Sequence, residues 1–276
     1  MSISAKDVMK LREATGAGMM DCKKALTEAD GDFDRAVEIL RKKGQKVSEK
    51  RADREANQGL ILINVSEDHS KAAAIEINCE TDFVARNDDF QKSAQSFLDK
   101  AFENEIGSIA ELKQEEVDGL TIQKHLDEMV GKIGEKIELS RVLYIQSSGA
   151  LVEYIHPGNQ LGVIVEFESS IDNDDVAKDV AMQIAAMNPL AVTRDGVDAT
   201  VVEKELEIAK EQLINEGKPA EIAEKAAQGK LRRFYEERVL LEQKFVKDNG
   251  ISVKEYLEQN NAPLVRSFHR LQLGEA

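Results

Sequence analysis

The chain has little of what several common protein classes require. Its 276 residues include no Trp, 2 Cys, 4 His and 4 Pro, and aromatic residues make up only 5%. Two Cys without a Cys-x-x-Cys pair cannot build a disulfide framework, and with so few His they cannot complete a structural zinc site. We therefore expect reduced thiols, no bound metal and no cofactor, with cores filled mainly by aliphatic side chains.

Long apolar runs are also missing. No stretch approaches the ~18 apolar residues of a membrane-spanning helix, and residues 1–10 lack the apolar segment of a secretory signal. We expect a cytoplasmic protein that makes no contact with membranes. The net charge of −15 would repel a phosphate backbone, so direct binding of nucleic acid is not expected either.

The sequence also lacks the common signatures of a nucleotide-binding enzyme. There is no Gly-x-x-x-x-Gly-Lys loop, and Gly16-Ala17-Gly18 lies between predicted helices instead of after a strand. Two Lys follow Cys22 and could lower the pKa of its thiol, but no His lies nearby in the sequence to act as a base. No catalytic residue is expected, and an enzyme with Cys22 or Cys79 as nucleophile is the least favoured alternative.

The first 58 residues differ from the rest in charge and in periodicity. They carry 13 Lys and Arg against 11 Asp and Glu, whereas residues 59–276 carry 24 against 41. Caps at Ser4 and Asp32, with apolar residues at helical spacing, predict three short helices that end before Gly44. Residues 45–58 contain many charges and few apolar side chains, so we interpret them as a linker, with a partly helical conformation left open.

Residues 59–187 contain strands and helices in an order that occurs twice. A period of two among apolar residues predicts a hairpin over residues 60–77. Further predicted strands span residues 139–146, 151–155 and 161–167. After each hairpin an Asn-Asp-Asp sequence, at 87–89 and at 173–175, precedes a predicted amphipathic helix. Two related subdomains and chance explain this echo equally well, because Asn and Asp cap helices in many folds.

Residues 199–242 consist largely of helix-forming residues, interrupted at Gly217-Lys218-Pro219, where one helix can end and the next begin. Apolar residues at intervals of three and four predict that the two helices pack as an antiparallel hairpin. The predicted seam contains Val202, Leu206, Ala209, Leu213, Ala227, Leu231 and Phe234. A short helix over 252–260 and a strand over 264–273 are predicted to follow, and the strand has to return to an earlier sheet.

Two residues lie in places that suggest more than a structural role. Phe83 is a large aromatic in the polar connection formed by residues 78–86, and it is either a core residue beneath the sheet or an exposed wedge for a partner's pocket. His156 begins a tight turn with Pro157 and Gly158. From the residues alone, a core Phe and an ordinary turn His are the favoured interpretations.

Three motifs resemble sequences of the bacterial elongation factor Ts family. Residues 11–26 are similar to the family's N-terminal motif almost residue for residue, and residues 78–85 are similar to its second motif. The segment from Gly217-Lys218-Pro219 to residues 222–225 is similar to the family's coiled-coil arm. The resemblance covers essentially the whole chain.

The resemblance implies an α+β fold built from several units. Residues 1–44 would form a ubiquitin-associated-like helical domain of three helices, followed by the linker at 45–58. The core would contain two similar β-hairpin-plus-helix subdomains, with residues 198–242 inserted as an antiparallel coiled coil. The N-subdomain is assigned to residues 59–135, and the C-subdomain to residues 136–197 and 243–276.

The resemblance also implies a function without catalysis, that of a guanine nucleotide exchange factor for the GTPase elongation factor Tu. The segment Thr81, Asp82, Phe83 and Val84 would intrude beside the nucleotide site and dislodge magnesium, with Phe83 as the wedge. His156 would help to displace the phosphate-binding loop. The residues implied to contact the GTPase from the N-terminal domain are Leu11, Arg12, Thr15, Gly16, Ala17, Gly18, Met19 and Met20.

A homodimer and a heterotetramer with the GTPase are both compatible with this resemblance. The alternative function is that of an interaction protein that does not promote exchange, in which the helical parts bind another partner and Phe83 belongs to the core.

Overall fold

The structure is a computed structural model that describes residues 3–275, and Met1, Ser2 and Ala276 lie outside the described part. Helices and antiparallel strands alternate along the chain. The helices are α1 Ala5–Thr15, α2 Met19–Glu28, α3 Phe33–Arg51, α4 Asp82–Ala85, α5 Asp88–Glu103, α6 Ile109–Leu112, α7 Ile122–Ile133, α8 Asp174–Met187, α9 Ala199–Asn215, α10 Ala220–Arg238 and α11 Val253–Gln259. The strands are β1 Gln58–Val65, β2 Lys71–Cys79, β3 Glu116–Val117, β4 Leu120–Thr121, β5 Ile137–Gln146, β6 Ala150–Ile155, β7 Leu161–Phe167, β8 Lys244–Phe245, β9 Asp248–Ser252 and β10 Val265–Gln272. The α+β class is confirmed.

No helix within residues 3–275 combines the length and the apolar character that a membrane crossing requires.

Helices α1 to α3 form a small bundle, which we call the head. The Ser4 hydroxyl accepts a hydrogen bond from the Asp7 N–H at 3.2 Å, and the Asp7 carboxylate accepts one from the Ser4 N–H at 3.1 Å, which is the expected capping box. Helix α1 ends at Gly16 in the left-handed conformation, with φ of 66°. The buried core of the head consists of Val8, Leu11, Cys22, Ala25, Leu26, Ala29 and Ala36. Its likeness to a ubiquitin-associated domain stays a prediction.

Helix α3 continues past the point where the sequence predicts its end. Residues 45–58 are interpreted from the sequence as a linker for which partial helix is left open, and the first half of the segment is helical, to Arg51. Gly44 lies inside the helix because α3 crosses α7 there. A Cβ atom on Gly44 would lie 2.8 Å from the Asp127 carbonyl oxygen, and one on Gly131 would lie 2.8 Å from the Cα of Gly44. Gly44 therefore marks a close helix crossing, and the segment without helix or strand shortens to residues 52–57.

The first sheet has the antiparallel strand order β1–β2–β5. Strands β1 and β2 form the expected hairpin, with Leu60 opposite Ile77 and Leu62 opposite Ile75. One face of the sheet packs against α5, as the predicted apolar stripe of that helix requires, and against α7. The side chains of α5 and α7 that are buried in this first core are Phe90, Ala94, Phe97, Leu98, Ala101, Ile122, Leu126 and Val130.

Strand β5 belongs to the first sheet, whereas the division made from the sequence assigns it to the C-subdomain. It pairs with β2, with Val142 opposite Ile75 and Ile137 opposite Cys79. Ile137 and Leu139 are buried in the first core. The apolar pattern of residues 139–146 predicts a strand but does not identify its neighbour. The boundary at residue 136 is therefore wrong for this strand, and the other domain boundaries stay predictions.

The second sheet, β10–β7–β6, repeats the topology of the first. In each, a hairpin is followed by an Asn-capped helix, and a later strand pairs with the second strand of the hairpin. The side chains of Asn87 and Asn173 accept hydrogen bonds from equivalent N–H groups, two and three residues further along. Strand β10 is the returning strand that the sequence requires. The shared topology favours related subdomains over a chance echo, and a common origin stays a prediction.

The two sheets face each other and carry their helices on the outside, in the order helix, sheet, sheet, helix. The apolar side chains between the sheets are Ile61, Ile63, Ala72, Ala74, Leu151, Ile164 and Leu271. Gly162 allows the sheets to come close, since a Cβ atom there would lie 2.8 Å from the side chains of Ile61 and Ile63. This packing fixes the second sheet relative to β1 and thus relative to the segment that follows β2.

Helices α9 and α10 form the expected helical hairpin. Ala209, Leu213 and Ala227 are buried between them, together with Ala223. Other members of the predicted seam, Val202 and Phe234, pack at the base of the hairpin beside Val239, and Leu206 and Leu231 are half-buried. The identity of the hairpin as a coiled coil stays a prediction.

The α3–α7 crossing can be tested by adding one methyl group. Gly44→Ala is expected to lower the free energy of unfolding by about 1–3 kcal/mol, because the methyl meets the backbone of α7. Gly229→Ala is the control, since Gly229 lies inside α10 with open space around it, and helix propensity should raise stability by up to ~1 kcal/mol. Denaturant titrations followed by circular dichroism measure both. A Gly44→Ala protein as stable as the wild type would contradict the close crossing.

Candidate partner-binding surface

Residues 80–86 form the corner between β2 and α5, which we call the corner segment. Helix α4 occupies most of it, and Val84 and Ala85 on one side of α4 are buried in the first core. Phe83 points the other way and is 83% exposed. A core position for Phe83, which the residues alone favour, is therefore wrong. Its role as a wedge stays a prediction.

Glu135 holds the start of the corner segment. Its carboxylate accepts hydrogen bonds from the N–H and the hydroxyl of Thr81, at 3.0 and 2.8 Å. The thiol of Cys79 donates to the Thr81 carbonyl at 3.1 Å. These contacts satisfy the polar groups ahead of α4 and fix the direction in which the helix leaves the sheet.

Glu80 holds the corner segment to the end of α3. Its carboxylate accepts hydrogen bonds from Arg51 at 2.7 Å, from Arg54 at 3.0 Å and from the Lys136 N–H at 2.6 Å. Desolvation raises the pKa of Glu80, but these three donors stabilise the ionised form more, so the pKa falls from 4.5 to about 2. Glu80 is therefore ionised wherever the protein is folded near neutral pH.

A cleft joins the corner segment to the turn at His156. Asp82 on α4 lines one side and forms an ion pair with Arg86 at 3.1 Å. Gly158 and Asn159 line the other side. The structure thus brings Asp82 and the turn that begins at His156, which are about 70 residues apart in the sequence, to the same cleft, although Phe83 and His156 themselves do not line it.

The turn that carries His156 is held at both ends. The His156 N–H donates to the Leu161 carbonyl at 2.9 Å, and the Asn159 carbonyl accepts from the Ile61 N–H of the first sheet at 2.7 Å. The side chain of His156 is exposed, and its Nδ1 is hydrogen-bonded to the Tyr154 hydroxyl at 2.9 Å. An ordered imidazole is therefore presented to solvent beside the cleft.

The residues predicted on the head divide into surface and core. Arg12, Gly18, Met19 and Met20 are exposed, with Met20 at 64%. Thr15, Gly16 and Ala17 are half-buried in the turn between α1 and α2. The side chain of Leu11 is completely buried, so the prediction that it contacts a partner directly is wrong for this structure. Its helical spacing from Val8 places it in the apolar stripe that packs the head.

Lys132 connects the head to the core near this surface. Its side chain lies against Gly16, where a Cβ atom would come within 2.5 Å of the Lys132 Cε. Its Nζ forms an ion pair with Asp89, in the first turn of α5, at 3.1 Å. The head turn and the corner segment are therefore joined through one side chain and the start of α5.

The thiols are poorly suited to nucleophilic chemistry. Cys22 is buried in the head, and burial, together with the nearby charge of Glu135, raises the pKa of Cys79 to about 12. Such a thiol carries almost no thiolate at neutral pH. Across residues 3–275, His, Cys, Asp and Glu side chains form no group of three that could hold a metal ion.

The supporting residues Glu80, Glu135, Arg51, Arg54 and Lys132 were not predicted from the sequence. Each acts across a long sequence separation, as in the pairing of Thr81 with Glu135. One signal was available for α3, because Val37, Leu40, Gly44 and Val47 continue the three-four spacing of an apolar stripe. That spacing would have extended the helix toward Arg51.

The lowered pKa of Glu80 predicts a specific dependence of stability on pH. The contribution of an ionised Glu80 is complete above pH 4.5 and is lost as the pH falls toward about 2. Glu80→Gln lacks this contribution, so the difference in free energy of unfolding between the wild type and the variant should shrink over that interval. Urea titrations at several pH values measure it. A difference that stays constant or grows as the pH falls would contradict the assignment.

Comparison with known proteins identifies the family. Residues 80–275 match the sequence model of a family described as Elongation factor TS. The Elongation factor Ts of Amoebophilus asiaticus is 50% identical over 277 residues, which covers 99% of this chain and 100% of the relative. Those of Christiangramia forsetii and Aquifex aeolicus are 47% and 44% identical, each over 99% of both chains. The resemblance drawn from three motifs is thus confirmed, and the chain belongs to the elongation factor Ts family.

Proposed function

We propose that this protein is a guanine nucleotide exchange factor of translation elongation. It binds the GDP-bound GTPase elongation factor Tu, intrudes near the nucleotide site and promotes release of GDP so that GTP can bind. Membership of the family supports the partner and the reaction. The observation that supports the mechanism is Phe83, an 83% exposed aromatic on a corner segment whose other side is anchored in the core.

Phe83 acts as the wedge. An exposed Phe on a fixed backbone gains apolar burial when it enters a pocket and loses little conformational freedom, because its backbone is already held. Burial of one Phe contributes about 2–3 kcal/mol, which corresponds to about two powers of ten in affinity. A single side chain is therefore effective but insufficient to empty a tight nucleotide site.

Loss of magnesium from the partner supplies a further part of the effect. The ion links phosphate oxygens to protein ligands, so its displacement weakens the hold on GDP. In this proposal the segment from Thr81 to Val84 dislodges the ion as it enters, and His156 acts from the other side of the cleft on the phosphate-binding loop. The shared cleft between α4 and the His156 turn supports a combined action of the two.

The head supplies affinity while the corner segment acts. Its exposed Met19 and Met20 side chains are flexible apolar groups that adapt to a partner's surface. By linkage, the factor by which this protein lowers the affinity for GDP equals the factor by which GDP lowers the affinity for this protein. Exchange factor and nucleotide therefore displace each other, and an excess of GTP decides the direction.

Substitution of Phe83 tests the wedge. Phe83→Ala should lower the rate of GDP release at limiting concentrations of this protein by about 10- to 100-fold. The midpoint of thermal unfolding should be unchanged, because the removed side chain is exposed. Release of a fluorescent GDP analogue from elongation factor Tu measures the rate. Val246→Ala is the control, since it also shortens an exposed apolar side chain, 44% exposed, outside the corner segment.

The outcomes separate the alternatives. If the wild type binds elongation factor Tu without faster GDP release, the protein is an interaction protein and the exchange proposal fails. If the wild type promotes release and Phe83→Ala retains the full rate, exchange stands and the wedge assignment fails.

A further inference from the structure

Glu80 joins the head to the residues that precede Phe83. Its carboxylate is shared by Arg51, the last residue of the head, and by Arg54, three residues further, at 2.7 and 3.0 Å, and is fixed from the core by the Lys136 N–H at 2.6 Å. We infer that Glu80 is a positioning residue, which through Arg51 and Arg54 fixes the orientation of the head relative to Phe83. This inference rests on the proposed function, in which head and corner segment contact one partner at the same time.

Arg51 extends the attachment of α3 beyond its crossing with α7. Around the crossing at Gly44, Arg41 pairs with Glu128 and Val47 packs against the first core, so these contacts all lie within about one turn of Gly44. Arg51 lies seven residues further, about 10 Å along the helix axis. A contact this far from the crossing limits tilting of α3 about Gly44 more than the contacts close to Gly44 do, and it therefore helps to set the orientation of the head.

The environment of this contact distinguishes it from an ordinary surface ion pair. The side chains of Arg51 and Glu80 are only 25% and 17% exposed. Both oxygens of Glu80 are engaged, Oε1 by Arg51 and the Lys136 N–H, and Oε2 by Arg54. Since Glu80 directly precedes Thr81, a displacement of its carboxylate is passed to the backbone that leads into α4.

A fixed head affects affinity more than the maximal rate. When two attached sites bind one partner, the second binds at an effective concentration that is highest if the sites are held at the right separation. Loss of the Glu80 contacts should therefore raise the concentration that gives half-maximal exchange. The maximal rate should change little, because Phe83 and the cleft remain.

The experiment measures GDP release from elongation factor Tu over a range of concentrations of the full chain. Glu80→Gln and the double variant Arg51→Gln/Arg54→Gln should each raise the half-maximal concentration by about fivefold, with the maximal rate within about twofold of wild type. The triple variant should be no worse than either, because the same interaction is lost in all three. A triple variant in which the two losses multiply would overturn the inference.

A conservative variant and a distant variant serve as controls. Each guanidinium reaches Glu80 through a single nitrogen, so Arg51→Lys/Arg54→Lys should retain near wild-type behaviour. Glu258→Gln removes an exposed partner of Lys254 on α11 and should have no effect. Failure of the Lys variant to restore function, or an equal loss in Glu258→Gln, would contradict a specific positioning role.

A distance measurement tests the inference without exchange activity. Spin labels at Glu28→Cys on α2 and Lys92→Cys on α5 report the distance between head and core. A labelling reaction with the unsubstituted protein shows whether the buried Cys22 and Cys79 remain unlabelled. Glu80→Gln should broaden the distance distribution, and an unchanged distribution would overturn the inference. If the wild type does not promote GDP release, the proposed function fails, whereas this distance still reports on the positioning.

Discussion

The geometry of the molecule depends on the place where α3 and α7 touch through Gly44 and Gly131. Two helices can approach this closely only where neither has a side chain, because a methyl group on either glycine would meet the opposite backbone. The contact brings the head against the first subdomain. The exposed surface of the head, which includes Met19 and Met20, therefore has a fixed position relative to the corner segment.

The corner segment combines an exposed apolar residue with a rigid support. In the free protein Phe83 gains nothing from burial, so the rest of the structure has to determine its position. Val84 and Ala85 anchor one side of α4, and the carboxylates of Glu135 and Glu80 hold the chain ahead of it. A binding residue on such a support loses little entropy when a partner covers it. The exposure of Phe83 and the burial of its neighbours are thus two parts of one arrangement.

Local features of the fold were readable from the sequence, and contacts between distant segments were not. Caps at Ser4 and Asn87 predicted helix starts because capping involves residues within one turn. The strand that pairs with β5 could not be predicted from the sequence, because strand pairing depends on the arrangement of the whole sheet. Gly44 predicts a helix end but lies at a close helix crossing, because glycine is common in both places. For Phe83 the general preference of aromatics for burial pointed the wrong way, and only the resemblance to a family implied an exposed side chain.

The uneven charge of the sequence has a counterpart in these contacts. Residues 1–58 are slightly basic, and the remaining chain is strongly acidic. In the ion pairs between the two parts the basic residue belongs to the first part and the acidic residue to the core, as in Arg41 with Glu128 and Arg51 with Glu80. Attraction between exposed charges is screened within about 8 Å at physiological salt, so only close contacts persist. Arg41 and Glu128 are half-exposed and contribute little. The packing around the glycine crossing is independent of salt, and the pair of Glu80 with Arg51 is largely covered, so both contacts continue to hold the head at physiological salt.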